Sequence, residues 1–154
     1  MGQQQLILLV LATVIVGIAI VVGIRAFTEN DAKANADAMM QDAVRVANDI
    51  QAWTRKAEPF GGAAAGETYT DAAWVDLGYV DDGAGNYVNL NGTFTLGDSG
   101  TDGALIQGTA FEDDGATARN QVQVTVCGPR DTDVNGAITV LNGAATGATP
   151  TACP

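Results

Sequence analysis

Residues 6–24 read LILLVLATVIVGIAIVVGI, and the fold follows from what that run requires. It carries no charge, and Thr13 is its only polar side chain. At a helical rise of about 1.5 Å per residue the run spans about 28 Å, close to the hydrocarbon thickness of a bilayer. A helix that is apolar all round has no face for water. It needs either lipid or copies of itself around it. Upstream, residues 1–5 (MGQQQ) are polar but uncharged in their side chains. A removable signal peptide has a basic start and a small-residue cleavage site. Neither is clear here, so the segment is expected to be a signal anchor or the start of a chain whose leader has been removed.

Downstream, the helix has no reason to stop at Ile24. Residues 25–57 contain no proline and no glycine and are rich in alanine and other helix formers. Ala36, Met39, Ala43, Val46, Ile50, Trp53 and Ala57 recur at spacings of three and four, which puts an apolar stripe on one face. Asp37, Asp42, Arg45 and Asp49 lie off it. The expectation is one helix of about 55 residues, roughly 80 Å long, ending near Glu58-Pro59. Residues 1–24 are its hydrophobic half and 25–58 its amphipathic half. Gly17 and Gly23 each weaken a helix interior by about 1 kcal/mol relative to alanine. They suit close helix–helix approach or local melting outside lipid.

Residues 59–154 form the other unit, a β-rich head. It begins with the small-residue linker FGGAAAG (60–66) and an irregular stretch holding Trp74, Tyr79 and Tyr87, with a short helix or strand expected near 72–77. From Thr93 onward the apolar period becomes two. Strands are expected over 93–96, 104–112, 119–127 and 137–141. Val122, Val124 and Val126 alternate with Gln121, Gln123 and Thr125, so one face of the sheet is buried. The predicted class is therefore α+β: a long N-terminal helix whose amphipathic half packs on an antiparallel sheet of about four strands.

Composition narrows the chemistry. The 154 residues carry 18 acids against 7 lysines and arginines, a net charge of −11, and nearly all the acid lies after Phe27. Such a surface repels nucleic acid. There is no histidine, and Ser99 is the only serine. That excludes a Ser–His triad, a Cys–His pair and a histidine metal site. No enzymatic role is expected. The two cysteines, Cys127 and Cys153, predict one disulfide in an exported domain, with two buried free thiols as the alternative. The bond closes a loop of about 27 residues, worth about 3–4 kcal/mol by loop entropy.

Architecture and sequence together resemble the type IV pilins and the related pseudopilins. The chain starts at a Met and continues into a long uncharged apolar helix with an amphipathic extension. A sheet and a C-terminal pair of cysteines follow. The resemblance implies N-methylation of Met1 after cleavage by a prepilin peptidase. It also implies assembly through the apolar helix, with Gln5, Leu6, Leu9, Val14, Gly17, Ile18 and Val21 among the contacting positions. Cys127 and Cys153 look like the pair bounding the family's C-terminal region. One departure stands out: the family usually has Glu at the fifth mature position, and this chain has Gln5. An amide avoids burying a carboxylate but cannot neutralise a neighbouring amine.

The expected function is thus a structural subunit of an extracellular filament on the cell surface, a homo-oligomer of identical subunits. The unassembled precursor waits in the inner membrane for the pilus assembly machinery. A pseudopilin of a type II secretion-like system is the nearest alternative. A membrane-anchored extracytoplasmic binding domain, using Trp74, Tyr79 and Tyr87, is the alternative of another class. No cofactor is expected apart from calcium. Asp131, Asp133, Asn135 and Gly136 match the first half of a D-x-D-x-N-G calcium loop, although Asn142 stands where a bidentate Glu belongs. A plain turn explains the same residues. Asp81-Asp82-Gly83 and Glu112-Asp113-Asp114-Gly115 read as solvated turns, and Asn91-Gly92-Thr93 is a glycosylation sequon. Arg25 and Lys33 follow the rod as interfacial cations or partners for acids.

Overall fold

Helix α1 runs without interruption over Gly2–Arg55, 54 residues. The computed structural model describes residues 2–110 and 119–154. Met1 and the acidic turn 112–115 lie outside the described residues. The buried face of α1 is Ala32, Ala36, Met39, Ala43, Val46, Ala47, Ile50, Gln51 and Trp53. It is the predicted stripe, shifted by one turn: it starts at Ala32, and Ala57 is exposed. The helix stops a turn short of the expected Glu58-Pro59. Ala57 is already extended (ψ 141), and a single 3-10 turn over Glu58–Phe60 takes Pro59 near its start, where no backbone N–H is needed.

The rest of the head is an antiparallel meander of six strands in sequence order. These are β1 (Asn86–Val88), β2 (Thr93–Ser99), β3 (Gly103–Thr109), β4 (Gln121–Val126), β5 (Val134–Leu141) and β6 (Ala144–Ala145). Four strands were expected. The two additions are edge pieces of three and two residues, too short to show a period. Residues 72–77 form neither helix nor strand but turns that bring Trp74 inward. Strand β5 begins three residues earlier than expected and takes in Asn135 and Gly136. The Asn-Gly hairpin signal is used instead at Asn142-Gly143, where both residues have positive φ (51 and 77), as a two-residue hairpin loop between Leu141 and Ala144 demands.

One face of the sheet meets the stripe of α1. Across it, Phe94 pairs with Gly108, Gly108 with Val122, and Val122 with Ile138. A Cβ on Gly108 would sit 2.7 Å from the Phe94 ring and 2.9 Å from the Val122 side chain, so the glycine is the space that Phe94 fills. Gly136 plays the same part for Met40, whose sulfur would lie 2.9 Å from a Cβ there. Large and small residues thus interlock between helix and sheet, as close packing requires. Trp74, Tyr79, Tyr87 and Phe94 extend this core under the loop that precedes β1, with ring centroids 4.7 to 6.1 Å apart.

The chain end is tied down. Cys127 and Cys153 form a disulfide across a sequence separation of 26. The tail reaches it over the outer face of the sheet, where Thr125 Oγ1 donates to the Thr151 carbonyl at 2.9 Å. Cys153 sits against the β2–β3 turn so closely that a Cβ on Gly103 would collide with its sulfur.

Candidate assembly surface

The sheet covers only the second half of α1. Every Leu, Ile and Val from Leu6 to Ile24 is more than half exposed, and none of the most apolar window of the helix is buried within the chain. The helix is long and apolar enough to cross a membrane. Leu6, Leu9, Val14, Ile18 and Val21 all project from this bare rod, and Gln5 lies one residue before it, also exposed. Shallow hollows flank Gly17: Ala12, Thr13, Val16 and Ile20 line one, and Val14, Ile18, Val21 and Val22 line the other. A Cβ on Gly17 would meet nothing.

The rod leaves no polar side chain unsatisfied in its apolar run. Thr13 Oγ1 donates to the Val10 carbonyl at 2.9 Å, within its own helix. Charge resumes only beyond it. Lys33 pairs with Glu29 at 2.8 Å, one turn apart on the exposed surface. The hydrogen bond from Lys33, and then its charge, hold the Glu29 carboxyl below the usual carboxylate range. Lys33 therefore has a partner on its own helix.

Where the rod meets the head, amide side chains make the join. Asn120 is 2% exposed. Its Nδ2 donates to the Ala32 carbonyl at 2.8 Å and to Asn35 Oδ1 at 2.9 Å. Its Oδ1 accepts the Asn142 backbone N–H at 3.0 Å. Asn35 in turn donates to the Asn91 carbonyl at 3.1 Å. Two turns further along α1, Asp42 Oδ2 accepts from Asn89 at 2.8 Å and from Asn91 at 2.6 Å. The sequon Asn91 is thus spent on the junction: its side-chain nitrogen faces helix α1 rather than open solvent. Nothing in the sequence marked Asn35, Asn89 or Asn120, because their partners lie 47 to 88 residues away.

The other expected sites are placed as follows. Asp131 and Asp133 share a 3-10 turn, where Asp133 Oδ2 accepts the Arg130 N–H at 3.0 Å. Asn135 stands apart on β5, its amide donating to Thr151 Oγ1 at 3.3 Å. The D-x-D-x-N-G residues are thus divided between a turn and a strand rather than wound into one loop. Asp82 accepts the N–H groups of Ala84 (2.8 Å) and Asn86 (3.1 Å) and the Asn86 amide (3.0 Å), the geometry of a solvated turn. The Asn86 amide, with the two backbone donors, holds its carboxyl below the usual range.

Trp74, Tyr79 and Tyr87 pack mainly on one another. The Trp74 indole donates to the Gly85 carbonyl at 3.0 Å, and the Tyr79 hydroxyl donates to Asp49 on α1 at 2.6 Å. These rings fasten the loop to the helix. A binding module would need them turned outward.

No protein-family model matches the chain, and no curated protein or solved structure is significantly similar to it.

Proposed function

We propose that the chain is a structural subunit of a type IV pilus-like extracellular filament and polymerises through its N-terminal hydrophobic helix. The observation that carries this reading is the division of α1. One half packs on its own sheet, and the other, equally helical, has no partner among the described residues. Each Leu, Ile or Val moved from water into an apolar contact contributes about 1.5–3 kcal/mol. Before assembly lipid supplies that contact and the head lies outside the membrane. In the filament, neighbouring rods supply it.

Gln5 fits a core of this kind. Its amide needs only a hydrogen-bond partner, whereas a carboxylate there needs a cation. Packing of apolar side chains, more than an ion pair, then sets the stagger between rods. The reading requires a prepilin peptidase, N-methylation of Met1 and an assembly machinery in the inner membrane.

Imaging and mass spectrometry of sheared cell-surface material test it. Long filaments made of this chain, with a methylated N-terminal Met, support the proposal. A chain found only in membranes, released by detergent as a monodisperse monomer and absent from sheared material, rejects it.

A further inference from the structure

Two short patterns on α1 match one another. Gly17, Val21 and Arg25 recur every fourth residue, and so do Gly23, Phe27 and Asp31. Each set runs glycine, apolar side chain, charge, and the two charges are opposite. Eight residues of helix rise about 12 Å and turn by about 80°, so each set lies on one face. The sets are six residues apart, a rise of about 9 Å and a turn of about 240°, so the two faces point different ways. Both lie N-terminal to Ala32, where the buried stripe begins, and Val21, Arg25, Phe27 and Asp31 are exposed. Resting on the filament reading, we infer that neighbouring copies of α1 pack in parallel with a stagger of six residues, Gly17, Val21 and Arg25 of one copy lying against Gly23, Phe27 and Asp31 of the next.

Charge selects a second copy of this chain as the occupant. Neither Arg25 nor Asp31 has an ionic partner among the described residues: Lys33 takes Glu29, one turn beyond Arg25, and Arg119 shares a hollow with Asp31 without pairing with it. A guanidinium at the margin of an apolar bundle needs a carboxylate. At a stagger of six, each copy supplies the acid that its neighbour's Arg25 lacks. Other staggers fail: eight residues set Arg25 against Lys33, and none sets it against itself. Shape agrees with charge. A Cβ on either glycine would meet nothing within the chain, and the hollow beside Gly17 is walled by Val21 and ends at Arg25. Glycine opposite glycine lets two helix backbones approach closely. Val21 and Phe27, the middle members of the sets, then cover one another. Packing holds the rods together, and the charges reject the wrong stagger. Because the two faces differ, each copy binds one neighbour through each. That head-to-tail relation builds an open helical polymer rather than a closed dimer.

The test is a charge swap in the full-length chain, read as filament yield in sheared cell-surface material. Arg25→Glu and Asp31→Arg should each lower the yield about tenfold, and the double variant Arg25→Glu/Asp31→Arg should restore it. Equal amounts in the membrane and an unchanged thermal transition of the head show that the variants are made and folded. Cysteine cross-linking reads the stagger itself. Mild oxidation of filaments carrying Val21→Cys/Phe27→Cys should give a ladder of covalent multimers. Within one helix these positions are about 9 Å apart along the axis, too far to bond, so every cross-link joins two copies. The pair Val21→Cys/Asn30→Cys, offset by nine residues, should give no ladder. The stagger is overturned, with the filament reading intact, if wild type forms filaments and the single variants do so equally well, the double variant fails to restore them, or the ladder comes from the second cysteine pair instead of the first. Absence of wild-type filaments rejects the filament reading itself, and this inference with it.

Discussion

The Asn120 side chain donates to the main-chain carbonyl of Ala32 at 2.8 Å, across 88 residues of sequence. This contact marks the last turn at which the head grips the helix. N-terminal to it, α1 has no partner among the described residues. At this end of the docked half the apolar core is supplemented by a handful of amides, Asn35, Asn91 and Asn120, together with the Asp42 carboxylate. Replacing Asn120 by Ala removes both donations and leaves the Asn142 N–H without its acceptor. The expected loss is about 1–3 kcal/mol. Hydrogen exchange should quicken around residues 32–43 before it does so near Trp53. Uniform exchange along the docked half would mean that the clasp does not hold the junction.

The clamp at the chain end should be separable from that junction. Replacing Cys127 and Cys153 together by Ser removes a cross-link spanning 26 residues. Loop entropy puts the loss at about 3–4 kcal/mol. Thermal melting under oxidising conditions should show it, and reduced wild type should melt with the variant. Equal melting of oxidised wild type and variant would remove the disulfide from the account of the head's stability.

Packing at Gly108 gives a sharper prediction. Alanine there places a methyl group against the Phe94 ring and the Val122 side chain. Overpacking of this kind costs about 1–3 kcal/mol. The paired change Gly108→Ala with Phe94→Leu should recover part of the loss, because the smaller side chain vacates the space. Denaturant melts of the two variants decide it. No recovery in the double variant would place the strain elsewhere.

Tyr79 supplies a pH signature. Burial, then the hydrogen bond to Asp49 and the Asp49 charge, push its hydroxyl up to about 12, against an ordinary value of about 10. The folded state holds this proton more tightly than the unfolded chain does. The resulting stability is fully present below pH 10 and is lost as pH rises from 10 to 12. Ultraviolet titration should show a tyrosine that ionises only as the pH approaches 12. In Asp49→Asn it should ionise earlier, while burial keeps it above the ordinary value. Ionisation of Tyr79 near pH 10 in the wild type would contradict the contact.

Much of this architecture was legible in the sequence, for physical reasons. A run of 19 residues without charge admits few environments. The three-and-four spacing from Ala36 to Trp53 fixes the docked face, and the alternation at Val122, Val124 and Val126 fixes the sheet face that meets it. The two cysteines are joined as expected. Strands β1 and β6 were not visible because three and two residues carry no period. The Asn-Gly signal occurs three times in the chain, at Asn91, Asn135 and Asn142, and local sequence alone does not say that only Asn142-Gly143 takes the positive-φ hairpin turn. The amide clasp escaped notice because asparagines read locally as turn formers, whereas here they serve contacts between distant segments.

The central claim is that the bare half of α1 polymerises by dry apolar packing. Ile18 tests it most directly: it is 62% exposed in the single chain, and it lies far from the head's contacts at Ala32 and beyond. Cells producing the Ile18→Asp variant should shed no filaments into sheared surface material, while the disulfide, the Tyr79 titration and the thermal transition of the head stay as in wild type. Normal filaments containing Asp at that position would contradict the account.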